Sequence, residues 1–140
     1  MTDAIEPGPK DWAGNFRAYG RTWGLPLLAI IAGGFVDAPL RAAIWSAALI
    51  WMGAACLINF RRCGRTHCRF TGPFYLILII PVLLLGFSLI SFGPYGWWLL
   101  GAAILFGGKI LWWATETIWG KYATPRKIDD PQPPGACPPA

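Results

Sequence analysis

The chain has 140 residues, of which 55% are hydrophobic and only 14% are charged, and its formal net charge is +5. Soluble domains carry about 25% charged residues, so this composition indicates a membrane protein or an unusually apolar subunit of a larger assembly. It excludes a wholly disordered chain, which would need low hydrophobicity, and the length allows a single domain.

The predicted elements follow one another without internal repetition. Residues 1–22 are polar and are predicted to form a cytoplasmic N-terminal segment. The apolar segment 23–36 comes next and is short, so its length alone fits a short span, a re-entrant segment or an interfacial helix. Three longer apolar segments then reach the roughly 20 residues that a membrane-spanning helix needs: 40–60, 73–92 and 96–119. Residues 120–140 are rich in proline and are predicted to be a disordered tail.

The positions of the basic residues decide how the short segment is interpreted. Lys and Arg in short loops mark the cytoplasmic side of a membrane protein. If all four apolar segments cross the membrane, ten basic residues fall on one side and Arg41 alone falls on the other. We therefore predict an all-α integral membrane protein, with four antiparallel transmembrane helices within residues 23–119 and a short first helix. Both termini are predicted to be cytoplasmic, and the expected location is a bacterial inner membrane.

A basic linker at 61–72, between the second and third segments, carries most of the recognisable chemistry. It contains Cys63, His67 and Cys68, and Cys56 precedes Cys63 by seven residues, on the same face of a helix. Thiolates and imidazole favour thiophilic ions such as Zn or Cu. These four residues are therefore the predicted metal ligands.

Other interpretations of this linker stay open. In one interpretation, the cysteines are inert, buried apolar residues. In another, they form a disulfide, which a cytoplasmic location of the linker disfavours. The basic side chains of the linker also fit contact with an anionic lipid headgroup or a phosphate. Those side chains are Arg61, Arg62, Arg65 and Arg69.

The linker and its flanks read Asn59-x-Arg61-Arg62-Cys63-Gly64-Arg65-x-His67-Cys68-x-x-Thr71-Gly72-Pro73. This run resembles a signature of small, uncharacterised prokaryotic multi-pass membrane proteins. The resemblance covers about fifteen residues and the helical hairpin around them. It implies a multi-pass helical fold and no particular activity.

Charged residues inside or beside the spans give a second set of candidates. Asp37, Lys109 and Glu116 would form an ion or proton path in a functional interpretation. In the structural interpretation, which we favour, Lys109 extends its ammonium towards the membrane interface and Asp37 pairs with Arg41. The adjacent Gly107–Gly108 pair would let a neighbouring helix approach closely.

The sequence favours binding or passage of a thiophilic metal ion through the Cys/His linker. The alternative is a structural or accessory subunit of a larger membrane complex with no chemistry of its own. An enzyme acting on lipid or quinone ranks third, and no enzymatic activity is predicted, because the sequence reveals no paired carboxylates, no nucleophile–base set and no haem-ligating histidine pair. The expected partners are the lipid bilayer and either a larger membrane complex or further copies of the chain, and no nucleic acid.

Overall fold

The computed structural model describes residues 16–120, and every regular element within that range is helical. The α-helices are α1 (Phe16–Tyr19), α2 (Leu25–Gly33), α3 (Ala38–Cys63), α4 (Thr66–Ile77), α5 (Ile79–Gly86), α6 (Gly96–Ala102) and α7 (Gly108–Trp119). A π-helical turn (Gly20–Gly24) joins α1 to α2, and another (Ala103–Gly107) joins α6 to α7. Most of the predicted N-terminal segment and nearly all of the predicted tail lie outside the described residues.

Three helical stretches of the described chain are long and apolar enough to cross a membrane: Ala38–Cys63, Thr66–Gly86 and Gly93–Trp119. The second stretch is interrupted at Leu78, three residues before Pro81, whose ring removes a backbone donor and crowds the preceding turn. The all-helical class and the membrane-compatible composition are therefore confirmed. The first helical segment, residues 16–33, is not among these three stretches.

The turn between α3 and α4 is much shorter than the predicted linker. Gly64 ends α3 with a φ of 66°, in the left-handed region that favours glycine, and its N–H donates to the carbonyl of Phe60 at 2.8 Å. Arg65 is extended, and α4 begins at the next residue. Only these two residues lie outside helices, so the last turn of α3 is held beside the first turn of α4.

Glycines allow α3, α4 and α7 to pack at short distance. A Cβ on Gly53 would lie 2.8 Å from a side-chain carbon of Leu76 and 3.1 Å from the carbonyl oxygen of Gly72. A Cβ on Gly108 would lie only 2.0 Å from the hydroxyl of Tyr75. The predicted close approach at Gly107–Gly108 is confirmed, because α4 places aromatic side chains against this notch.

The end of α2 is attached to α3 through two side chains of α3. Arg41 donates to the carbonyls of Gly33 (3.2 Å), Gly34 (2.9 Å) and Val36 (2.8 Å). The predicted ion pair between Asp37 and Arg41 is absent from residues 16–120. The guanidinium of Arg41 donates to the three backbone carbonyls instead.

One turn further along α3, the indole Nε1 of Trp45 donates to the carbonyl of Ile30 at 2.9 Å. The ring of Trp45 also meets that of Trp97 edge-on, with 5.4 Å between the centroids. The first helical segment is therefore tied to the bundle at this end.

The core and the surface are both apolar. Leu49, Met52, Val82 and Ile104 are completely buried between the helices. Large apolar side chains also cover the outside, and Trp98 is 79% exposed while Trp113 is 70% exposed. Such extensive apolar exposure is unfavourable in water and is compatible with a lipid environment.

Replacement of Gly108 by alanine tests the contact between α4 and α7. The new methyl group collides with the side chain of Tyr75, and we expect a loss of about 1–3 kcal/mol of stability, measured as a lower Tm in detergent micelles. Gly24→Ala is the control, because no atom lies within 4 Å of the Cβ that it introduces. Equal Tm values for the two variants would contradict the proposed packing.

Candidate functional site

Two free thiols meet where α3 and α4 are closest. Cys56 lies on α3 and Cys68 on the first turn of α4, and both are completely buried. The two side chains lie close enough to interact with each other. Asn59, one turn after Cys56, donates from Nδ2 to the sulfur of Cys68 at 3.5 Å. The crossing at Gly53 and Gly72 therefore creates a buried pair of thiols with an amide donor beside it.

His67 connects this thiol pair to α7. Its Nδ1 lies 2.7 Å from the Oε1 of Glu116, and its Nε2 lies 3.2 Å from the sulfur of Cys68. A carboxylate can only accept a hydrogen bond, so Nδ1 carries the proton in the neutral ring. The other nitrogen is then free to accept the proton of the Cys68 thiol. Glu116, His67 and Cys68 thus form a hydrogen-bonded relay across two helices.

Arg65 and Trp112 hold two members of the relay, Glu116 and His67, in place. Arg65 donates from Nη1 to the same Oε1 of Glu116 at 3.1 Å, so the carboxylate has a cationic partner. The imidazole of His67 stacks on the indole of Trp112, with 4.8 Å between centroids and 25° between ring planes. Because stacking fixes the plane of the ring, both nitrogens of His67 point along the relay.

A cavity of about 100 Å³ lies beside the thiol pair, and Cys56 and His67 form part of its wall. Aromatic side chains line much of the remaining wall, among them those of Trp23, Tyr75 and Trp112. Cys56 therefore adjoins the cavity, whereas Cys68 does not line it and lies against His67. The arrangement combines a nucleophile, a base, an orienting carboxylate and a second thiol.

The structure brings together three of the four predicted metal ligands. Cys56, His67 and Cys68 adjoin one another, whereas Cys63 ends α3 and is not one of the free cysteines of the described chain. Within residues 16–120, no group of three or more His, Cys, Asp or Glu side chains is arranged to hold a metal ion. The contacts of His67 explain this, since one ring nitrogen is occupied by Glu116 and the other by Cys68.

The four predicted lipid-contacting arginines have different positions. Arg61 and Arg62 belong to the last turn of α3, and Arg69 lies on α4. Arg61 and Arg69 are exposed at the same end of the bundle. Arg65 instead turns inward to Glu116, with only 13% of its side chain exposed.

The three charges predicted inside the spans do not form one path. Asp37 precedes the first residue of α3, at the opposite end of that helix from Cys63. The ammonium of Lys109 lies over the ring of Trp112, 4.7 Å from its centroid. Glu116 is the member of the set that joins the thiol site. The sequence identified Glu116 as a charged residue within a predicted span, but it did not predict the contact of Glu116 with His67.

No family model matches the chain, and neither curated proteins nor solved structures include a significant match to it.

Energetic coupling between His67 and Glu116 tests the relay. We expect a double-mutant cycle of His67→Phe and Glu116→Gln, measured by unfolding in mixed micelles, to give an interaction energy of about 1–3 kcal/mol. Phenylalanine keeps a ring to stack on Trp112 and removes both nitrogens. Thr117→Val replaces Glu116→Gln in the control cycle, because Thr117 is exposed and donates only to its own helix. Additive effects in both cycles would show that the contact is not coupled.

Proposed function

We propose that this protein carries a membrane-embedded dithiol–disulfide centre formed by Cys56 and Cys68. The observation that supports the proposal is the relay from Glu116 through His67 to Cys68, with the buried thiol of Cys56 beside that of Cys68. A base held against one thiol of an adjacent pair is the arrangement that disulfide formation requires.

Each residue has a distinct part in the proposed reaction. His67 accepts the proton of Cys68, and Glu116 holds the imidazole in the orientation and tautomer that this transfer needs. The amide of Asn59 donates to the sulfur as its negative charge develops. Oxidation breaks the two S–H bonds and forms one S–S bond between Cys56 and Cys68. The two electrons and two protons pass to an acceptor, and reduction reverses each of these changes.

This function differs from the sequence-based expectation of a protein without enzymatic activity. Binding of a thiophilic metal ion such as Zn or Cu is the second candidate, favoured by the convergence of two sulfurs and one imidazole. Glu116 would then act as the outer carboxylate that orients a ligating histidine. His67 would have to exchange its contact with Cys68 for the ion. An accessory role in a larger complex, or in a homo-oligomer, is compatible with either chemistry.

We further propose that the chain crosses a bacterial inner membrane four times, with neighbouring helices antiparallel and both termini in the cytoplasm. The basic residues support this topology, since Arg17 and Arg21 precede the apolar segment 23–36, and further arginines lie around Gly64, where α3 ends. The thiol site then lies near the cytoplasmic face. Exposed Arg61 and Arg69 would meet anionic headgroups there.

Oxidation of the purified protein tests the dithiol proposal in a Cys63→Ser/Cys137→Ser background, which leaves only Cys56 and Cys68. A small apolar disulfide, dithiodipyridine, should convert the pair into an internal disulfide, seen by intact mass as the loss of two hydrogens. Removal of the base by His67→Gln should slow the reaction about a hundredfold. Thr117→Val is the control and should react at the parental rate.

Three outcomes would overturn the dithiol proposal. Stable pyridyl adducts on both cysteines would show that the thiols cannot reach each other. An unchanged rate in His67→Gln would remove the base from the mechanism. Stoichiometric Zn or Cu in the untreated protein, lost in Cys56→Ser/Cys68→Ser, would favour the metal-binding candidate instead.

Reporter fusions test the topology. Fusions after residue 15 and after residue 125 should both report a cytoplasmic location, because the basic residues beside both positions resist transfer across the membrane. A fusion after Asp37 should report the opposite side. A periplasmic signal from residue 15, together with a cytoplasmic one from residue 125, would mean that the first helical segment does not cross.

A further inference from the structure

The cavity beside Cys56 is a distinctive feature of the dithiol centre, because the buried side chain of Cys56 forms part of its wall. It lies among the first helical segment, α3, α4 and α7. Tyr19, Trp23, Tyr75 and Trp112 supply four aromatic walls. Aromatic walls with a few polar groups are typical of sites for flat organic rings.

Thr71 lines the cavity and has an unused hydroxyl. Threonines inside helices usually donate to the carbonyl one turn earlier, and Thr115 and Thr117 do so at 2.6 Å each. Thr71 is only 4% exposed, and its Oγ1 has no hydrogen-bond partner. A buried hydroxyl without a partner is unfavourable, so this group indicates a place for an acceptor atom of a ligand.

The outer part of the cavity reaches the apolar surface of the bundle. Leu105 and Lys109 belong to its wall and are exposed, and the ammonium of Lys109 lies over the ring of Trp112. The volume of about 100 Å³ is smaller than the roughly 150 Å³ of a cavity that encloses benzene. A six-membered ring would therefore enter by one edge, and the remainder would lie towards the lipid.

We infer that this cavity binds the ring of a membrane quinone, which accepts the electrons of the Cys56–Cys68 dithiol. The inference rests on the proposed function and names its acceptor. The Thr71 hydroxyl would donate to the inner carbonyl oxygen of the ring, and the charge of Lys109 would favour the reduced form at the mouth. The two thiols lose two electrons and two protons, an S–S bond forms, and the quinone gains the same electrons and protons to become a quinol.

The alternative acceptors fit this cavity less well. A protein disulfide would have to bring its backbone to sulfurs that are completely buried. A charged, water-soluble acceptor would have to cross the apolar surface around Leu105. A quinone is dissolved in the bilayer, carries two electrons and two protons, and presents the carbonyl acceptor that Thr71 lacks.

Quinone reduction by the full chain in nanodiscs tests the inference, again in the Cys63→Ser/Cys137→Ser background. The probe is decylubiquinone, whose fully substituted ring resists addition of a thiol. The chemically reduced protein should convert one quinone to quinol, followed by absorbance, for each internal disulfide that appears in the intact mass. Thr71→Val removes the hydroxyl and keeps the shape, and it should slow the reaction about tenfold.

Thr66→Val is the matched control. Thr66 lies on the same helix, is buried and also lacks a partner for its hydroxyl, but it does not line the cavity. This variant should reduce the quinone at the parental rate, and both threonine variants should still form the internal disulfide with dithiodipyridine to completion. That second measurement verifies that Thr71→Val has folded.

The outcomes separate the inference from the proposed function. Oxidation by dithiodipyridine without any reduction of decylubiquinone would overturn the quinone site and leave the dithiol centre standing. Equal quinone rates for Thr71→Val and Thr66→Val would overturn the assignment of the cavity. Failure of both oxidants would reject the dithiol centre itself.

Discussion

The hydrogen bond between the Nδ1 of His67 and the carboxylate of Glu116 is the constraint on which the rest of the site depends. It joins the first turn of α4 to the last turns of α7, across 49 residues of sequence. By holding the proton on Nδ1, it leaves the other ring nitrogen facing the sulfur of Cys68. If this bond were lost, the ring could turn on its stacking partner and the thiol would lose its base.

Placing ionisable groups in an apolar bundle requires that their charges be balanced locally. Glu116 is only 17% exposed, and it accepts hydrogen bonds from Arg65 and His67 on the same oxygen. An unpaired carboxylate in this position would be costly, whereas one with a cationic partner and a second donor is tolerated. The two-residue turn at Gly64 and Arg65 matters for this reason, because it directs the guanidinium inward while neighbouring arginines remain at the surface.

The glycines determine how close the reacting groups can be. Gly53 and Gly72 let α3 and α4 approach closely beside Cys56 and Cys68, and Gly108 lets Tyr75 fit against α7. In a lipid environment, where apolar surfaces gain little by leaving the solvent, such close packing is a main source of helix association. These small residues thus stabilise the bundle, and Gly108 also forms part of the wall of the cavity beside the thiols.

The sequence by itself determined the helical class, the apolar stretches and the region in which the chemistry lies. These properties depend on local composition, since 20 apolar residues predict a span and the spacing of Cys56, Asn59 and Cys63 predicts a shared face. The fold of His67 and Cys68 back towards Cys56 was also predictable, because Gly64 breaks the helix between them.

Only the tertiary structure decided which charge completes the site. Lys109 and Glu116 share a helical face in the sequence, yet Glu116 faces His67 while Lys109 lies over Trp112. The contact of Arg41 with backbone carbonyls, instead of with Asp37, was equally hidden. Pairings between helices depend on how each helix is rotated about its axis and where it crosses its neighbours. The packing of glycines and aromatic rings sets the rotation and the crossing point of each helix. A periodic pattern within one segment predicts neither of them.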